Sequence, residues 1–521
     1  MSNLSFFKWF ISMSLYLLFF SCSNAQNNTL PTPQIQDGVA KLSGKITNFH
    51  PNVSEDNGTL TLRVVQPVTA EVCQVITTVN EDDYFTFEVP MQCNYAIGYI
   101  LPGKGSYDAF DVCLTSGKEV TIDILYEETT GRLKSIHQAD SLGLTSTDLI
   151  NMSSVARKLT NYGSLGGSGY VKTPDEFVQQ LRIKLDKQLN LIAENKAASE
   201  YVRNIILSDN AKTILTNGIK ILLLDWVLFD YKRVMQLGYL NAGNKDVENY
   251  NPPEPDKKYY EFLKDFDLNN PLYLYNGNYF EVLQKILSND TLNIPPIGDT
   301  PVDQWMKTVK NRLSELVGFD KGLFYDMLAA NSYASQFNNE LRPLSDTQKE
   351  NINTYFKDDK AEFAKILLKK NDEIIQLAAQ KEPLVVNKTP AAPKEKLMNA
   401  IIAKYKGKVV VVDFWATWCA PCLDAMEKYR TVKHALRGKN VVFVYLTNTT
   451  SPKKLWEEKI KGIGGEHYYL NNDEWKYIFD TFGLEYIPSY LFFDTNGKFA
   501  QKIVSYPGNE EMKKMIEKLL P

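Results

Sequence analysis

Six cysteines and four histidines offer the most scope for covalent or metal chemistry in this 521-residue chain. Only one cysteine pair is closely spaced, Cys419-Ala420-Pro421-Cys422, preceded by Trp418. Two thiols three residues apart can close a small disulfide loop, and the thiolate of one can attack a disulfide in another molecule. The pair stands where an apolar strand, Val409 to Trp415, gives way to a helical pattern beginning at Cys419. A helix N-terminus offers free N–H groups and the positive end of its dipole, which lowers the pKa of a thiol there from about 8.5 towards about 7. Cys419 is therefore expected to be the nucleophile. Cys422, one helical turn further in and more buried, is expected to attack the resulting mixed disulfide and release the reduced partner. The zinc alternative fails on ligands: there is no second Cys pair, and no two of His50, His137, His434 and His467 stand at metal-ligand spacing. No metal and no cofactor beyond the redox-active dithiol/disulfide is expected.

The elements that must position this pair follow from periodicity. From Met398 a helix, the strand Val409–Trp415, the helix at Cys419, the strand Val441–Leu446, a helix near Pro452–Lys461, the strand His467–Leu470 and a helix Asp473–Phe482 alternate. The strand Ser489–Phe493, a turn at Asn496-Gly497, the strand Phe499–Val504 and a last helix follow. A continuous apolar strand followed by a crossover helix implies a parallel, buried sheet, and the Asn-Gly turn implies a terminal hairpin.

The run Val411-Val-Asp-Phe-Trp-Ala-Thr-Trp-Cys-Ala-Pro-Cys422 resembles the active-site signature of thioredoxin-fold proteins. With an exported setting and an additional strand–helix unit around His467, it is most similar to the TlpA/ResA-like thiol-disulfide oxidoreductases of bacterial envelopes. The resemblance covers Leu397 to the end. It implies that Tyr486-Ile487-Pro488-Ser489 is the family's cis-proline loop, with Pro488 against the cysteine pair and the Ile487 backbone pairing with the substrate chain. It also implies substrate contact by Trp418, Ala420 and Pro421, and places Asp413 where thioredoxins have a buried acid that takes the proton of the resolving cysteine. A carboxyl in an apolar strand should have a raised pKa, which suits that task. Two features differ from relatives. Leu423-Asp424-Ala425-Met426-Glu427 stands where the usual continuation is x-x-Glu-Met-Pro, and the Ala-Pro dipeptide lacks the histidine of strongly oxidising relatives.

The first residues carry an address. Lys8 precedes an apolar stretch from Trp9 to Phe20, too short to span a bilayer and suited to a signal-peptide core. Phe19-Phe20-Ser21-Cys22 resembles a relaxed lipobox that would make Cys22 the lipidated first residue, whereas Ser23-Asn24-Ala25 offers a competing cleavage site. Residues 1–22 are accordingly a signal peptide or lipobox and 23–35 a flexible tether. The expected location is the bacterial cell envelope, on the periplasmic side, where disulfides can form.

Residues 36–130 alternate apolar with polar and break at Asn, Asp, Gly and Pro, the pattern of an antiparallel β-sandwich-like domain. A hairpin about Asp82-Asp83 would bring Cys73 and Cys93 opposite each other, either as a structural disulfide or, with Cys113, as small buried hydrophobes. Residues 138–380 read as mainly α-helical, with capping boxes at Thr173-Pro-Asp-Glu176 and Ser345-Asp-Thr-Gln348. Gly163–Gly169 lacks the Lys-Ser/Thr of a phosphate loop and reads as a plain loop, and the aromatic cluster Tyr259–Phe280 reads as helix-packing core. Proline-rich residues 381–396 are the expected linker into a C-terminal α/β thioredoxin-like fold at 397–521.

With 58 Lys+Arg against 62 Asp+Glu there is no basic footprint, so nucleic acid is not an expected partner. The leading expectation is an exported protein disulfide reductase. It would act on disulfide-bonded exported proteins and draw electrons from a membrane thiol-electron transporter. A disulfide oxidase or isomerase, and a scaffold whose β and helical regions hold a partner served by the redox domain, are the alternatives. A peroxidase lacks its Pro-x-x-x-Thr-x-x-Cys arrangement ahead of Cys419.

Overall fold

A computed structural model describes residues 29–49, 58–103, 109–160, 170, 172–196, 205–244 and 250–521. Cys22, the Ser23-Asn24-Ala25 site and the Gly163–Gly169 loop lie outside the described residues. Among the described residues no helix is long and apolar enough to cross a membrane.

Among the described residues, eight strands form the N-terminal sandwich: β1 (Ile35–Thr47), β2 (Thr59–Gln66), β3 (Glu71–Thr78), β4 (Tyr84–Cys93), β5 (Tyr95–Pro102), β6 (Phe110–Thr115), β7 (Glu119–Tyr126) and β8 (Leu133–Gln138). One sheet runs β4-β1-β7-β8 and the other β3-β2-β5-β6. Alternation along β2, β5 and β7 turns every second residue into the space between the sheets, as period-2 geometry requires. Among the described residues its strand pairings are antiparallel except β1–β7, which is parallel.

A Cys73–Cys93 bridge does not form, and both thiols, with that of Cys113, are free. The chain does turn at Asn80–Tyr84, but the two strands then diverge into different sheets: β3 pairs with β2, and β4 with β1. Cys73 is half-buried near a sheet edge, whereas Cys93 lies in the sandwich core.

The helices of the middle region are α1 (Ser146–Leu159), α2 (Pro174–Ala193), α3 (Asp209–Leu223), α4 (Tyr231–Asn241), α5 (Tyr279–Ser288), α6 (Val302–Val317), α7 (Leu323–Glu340), α8 (Asp346–Tyr355) and α9 (Ala361–Ala379). The reciprocal caps expected at Thr173/Glu176 and Ser345/Gln348 both form, satisfying backbone donors that a helix start otherwise leaves open. Tyr259, Phe262, Phe266, Tyr273 and Tyr279 are buried. One hydrophobic core runs without a break from Ala40 in the sandwich to Ile374 in α9, so the sandwich and the helices are packed as one body. Asn331 and Asn338 of α7 donate to the carbonyls of Pro67, Thr69 and Ala70, binding the two parts at the backbone.

The C-terminal unit is a six-stranded sheet in the order β14-β13-β10-β11-β12-β9. Its strands are β9 (Leu384–Val386), β10 (Val409–Phe414), β11 (Val441–Asn448), β12 (Gly465–Leu470), β13 (Ser489–Phe493) and β14 (Phe499–Val504). Helices α10 (Lys394–Ala403), α11 (Ala420–Lys428), α12 (Arg430–Ala435), α13 (Lys453–Ile463), α14 (Asn472–Phe482) and α15 (Asn509–Glu517) cover its two faces. The linker expectation for 381–396 needs correction. Leu384–Val386 pairs in parallel with β12 as the sheet's edge, and α10 already starts at Lys394. Three residues among prolines carry too little periodicity to show as a strand; the exposed edge of β12 recruits them.

Candidate redox site

β10 alternates across the sheet, so Val409, Val411 and Trp415 face one core while Val410, Val412 and Phe414 face the other. Asp413 shares the parity of the first set, whose core also holds Cys419, Cys422, Ala425 and Met426 of the following helix. Strand alternation thus aims the carboxyl at the layer beneath the cysteines.

Cys419 is the N-cap of α11, with extended backbone, and its sulfur accepts from the Cys422 N–H at 3.2 Å. Pro421 lies in the first turn, where its missing N–H costs nothing. Cys419 and Cys422 form a disulfide with a Cα–Cα separation of 5.3 Å. Cys422 is fully buried and Cys419 is 3% exposed, whereas Ala420 and Pro421 are exposed beside them. Trp418 is 57% exposed and its indole N–H donates to Thr450 at 3.2 Å, which holds a large apolar surface next to the sulfurs. The Ile487–Pro488 peptide is cis. Pro488 is buried, Ile487 half-buried and Tyr486 54% exposed, and the Ser489 hydroxyl donates to the Tyr486 carbonyl at 2.6 Å across this loop.

Asp413 is buried, and its Oδ2 accepts from the Tyr429 hydroxyl while Oδ1 has no protein partner. Burial pushes its carboxyl up to about 7, against the smaller opposing effects of the Tyr429 hydrogen bond and the Lys433 charge. Lys433, also buried, is lowered to about 8 by desolvation. Its ammonium donates to the Tyr445 hydroxyl at 3.0 Å and lies over the Tyr429 and Tyr445 rings. Tyr429, Lys433 and Tyr445 are not among the residues that the sequence motifs point to. The signal was available: Cys422, Met426, Tyr429 and Lys433 recur at helical spacing, which puts a lysine in the apolar stripe.

No group of three or more His, Cys, Asp or Glu side chains is arranged to hold a metal ion among the described residues. His467 is buried, stacks on Tyr445 and is pushed down to about 3 by desolvation, so it stays neutral.

The fold and this site define a thioredoxin-like domain at the C-terminus, and residues 398–520 match the family model described as a thioredoxin-like domain. Among curated relatives, the thiol-disulfide oxidoreductase ResA of Geobacillus thermodenitrificans is 28% identical over 120 residues, which are 23% of this chain and 68% of that protein. ResA of Bacillus anthracis is 25% identical over 118 residues, 22% of this chain and 66% of the relative. The chain thus spans about two thirds of the length of the curated relatives it matches. Among solved structures, a thioredoxin-family thiol:disulfide interchange protein from Chlorobium tepidum aligns at 22% identity and TM-score 0.21, covering 23% of this chain and 84% of that one. The thioredoxin domain of a thiol-disulfide oxidoreductase from Bacteroides vulgatus aligns at 21% identity and TM-score 0.20, with coverage of 23% and 84%.

Proposed function

We propose that this chain is an exported thiol-disulfide oxidoreductase that reduces disulfides in proteins of the bacterial envelope. The observation that carries the reading is a Cys419–Cys422 disulfide at a helix N-terminus, above a buried Asp413 with one free oxygen. In the reduced enzyme the Cys419 thiolate attacks a client disulfide, forms a mixed disulfide and releases one client thiolate. Cys422 then gives its proton to Asp413 and attacks Cys419, closing the enzyme disulfide and releasing the second client thiolate. Two electrons pass to the client, and a membrane thiol-electron transporter is the donor that restores the dithiol. Trp418, Tyr486 and Ile487 supply the apolar surface for the client chain, with Ala420, Pro421 and Pro488 lining its path. Acylation of Cys22 is the proposed tether.

A second reading gives the remaining three quarters of the chain a part in holding the client. A cleft of about 470 Å³ opens between the sandwich, α9 and α11, lined by Gln66, Cys73, Gln92, Lys370, Asp424 and Lys428 among others. Its wall on α11 begins only five residues after Cys419, about 7.5 Å of helical rise.

The test is disulfide trapping with the full chain. Cys422→Ser should accumulate a mixed disulfide with insulin, used as a generic protein disulfide, while Cys419→Ser should neither trap nor reduce it. No adduct with Cys422→Ser would remove the exchange mechanism. Equilibration in redox buffers then fixes direction: a potential near or below about -230 mV supports a reductase, and one near -120 to -180 mV an oxidant or isomerase.

A further inference from the structure

The carboxyl beneath the disulfide is connected to the far side of its domain. Asp413 Oδ2 accepts from Tyr429, and the Tyr429 hydroxyl lies 3.2 Å from that of Tyr445. Lys433 Nζ donates to the Tyr445 hydroxyl at 3.0 Å and to the Ile463 carbonyl at 3.2 Å, and stands 3.8 Å from Glu382. Tyr429, Tyr445 and Lys433 are at most 4% exposed, whereas the Glu382 side chain is 28% exposed just ahead of β9. An acid, an amine and two hydroxyls buried together cost more to desolvate than apolar residues of similar volume. The line they form has one end at the sulfurs' core and the other at a partly wetted carboxylate.

We propose that Tyr429, Tyr445 and Lys433 form a proton relay between Asp413 and Glu382 at the seam with the helical region. The relay rests on reading the site as a dithiol-disulfide exchanger, and its groups act through Asp413 rather than on the sulfurs. In the reduced chain it starts with the line turned round, the acid's Oδ2 proton donated to Tyr429 and a neutral Lys433 amine accepting from Tyr445; the bonds of the oxidised chain, Tyr429 to Oδ2 and the Lys433 ammonium to Tyr445, are those left once closure is complete. Asp413 takes the Cys422 thiol proton on Oδ1 and releases one from Oδ2 to Tyr429. Tyr429 passes one to Tyr445, and Tyr445 one to Lys433, which hands it to Glu382 or solvent. Each link accepts one proton and gives up one. The electrons stay with sulfur: the Cys422 thiolate forms the bond to Cys419, and the client sulfur leaves with the pair of the broken bond.

The energetics suit a two-way path. Burial raises Asp413 and lowers Lys433, which brings the proton affinities of the two ends closer together than those of a free acid and a free amine. The other groups facing the line are Arg430, whose charge opposes protonation of Lys433, and Tyr490 and Tyr506 beside Tyr429. His467, stacked on Tyr445, carries no charge that would compete.

The test follows reoxidation of the reduced full chain by hydroxyethyl disulfide, a small oxidant that needs no protein client, using tryptophan fluorescence. In the wild type, closure of the Cys419–Cys422 disulfide should accelerate with pH through about 7. Tyr445→Phe keeps the ring and removes one link. It should slow closure about tenfold at pH 7 and flatten that rise, a modest part of the 10²–10⁴ that positioned acid–base groups contribute. Lys433→Met should behave alike. Tyr405→Phe, which deletes a buried hydroxyl in the core on the other face of the sheet, should change neither. Wild-type rates and pH profiles in both Tyr445→Phe and Lys433→Met would overturn the relay alone. An unreactive wild-type dithiol would overturn the oxidoreductase reading and the relay with it. If Lys433→Met does not fold, Tyr445→Phe decides.

Discussion

Asp413 carries opposite consequences for rate and stability. Its carboxyl rises from 3.8 to about 7 because burial penalises the charged form. Between about pH 4 and 7 the unfolded chain has released this proton and the folded chain has not, so stability falls as pH rises through that window and stays lower above it. Asp413→Asn removes that penalty and the proton acceptor together. In calorimetry the variant should unfold at higher temperature than wild type at pH 8, by an amount equivalent to at most about 4 kcal/mol, with the gap closing near pH 4. Its disulfide closure should be slower and lack the inflection near pH 7. The other thiols of the described residues are set against reactivity: burial pushes Cys93 up to about 12, Cys113 well up, and Cys73 up with help from Glu71. The oxidised native chain should therefore resist iodoacetamide at pH 7 at Cys73, Cys93 and Cys113. All three should label after unfolding, as peptide mass mapping would show; a Cys73–Cys93 bridge would leave two of them unlabelled.

Among the elements, the edge strand β9 has the least local encouragement and depends most on a neighbour. Gly464, which ends α13, holds φ +67° and ψ −178°, a region open essentially to glycine. A Cβ there would stand 2.3 Å from the Glu382 carbonyl oxygen, in the backbone that leads into β9. Gly464→Ala should cost about 1–3 kcal/mol and separate β9 from β12, seen as faster amide exchange at Val385 and Val386. Because Glu382 and Lys433 meet at this point, the same variant should disturb the outer end of the polar line more than the cysteine pair. α11 shows the complementary case. Its start is specified locally, by Pro421 in the first turn and by a cysteine sulfur that accepts a backbone N–H.

For the whole molecule, the redox domain is docked rather than strung on a tether. α13 packs on α7 at Gly462, where a Cβ would lie 2.7 Å from the Asn339 carbonyl oxygen. Lys461 pairs with Glu340 at 3.7 Å, Lys381 donates to the Glu340 carbonyl at 2.9 Å, and Arg437 donates to the carbonyls of Gln380 and Lys381. The surface ion pair adds little in itself; close backbone approach sets the geometry. Gly462→Val should force the two helices apart and speed proteolysis between Asn387 and Pro393. It should leave exchange with hydroxyethyl disulfide near wild type, because the dithiol and its core lie within the redox domain. Any client that needs the cleft between α11 and the sandwich should be reduced more slowly by the same variant.

Residue type and period determine much of this protein by themselves. The Cys-x-x-Cys pair on a strand-to-helix junction, the parity that turns Asp413 towards the cysteines' core, the capping boxes and the Asn496-Gly497 hairpin are all local patterns, legible because strand and helix periods are fixed by backbone geometry. Tertiary structure decided what depends on distant partners. Cys73 and Cys93 stand apart because consecutive strands entered different sheets, which no local pattern encodes. β9 exists because β12 offers an unpaired edge, and the core common to sandwich and helices follows from which apolar faces met. The line from Asp413 to Glu382 joins residues from β10, the end of α11, α12, β11 and the segment before β9. Its hydrogen bonds arise only when those five pieces pack together.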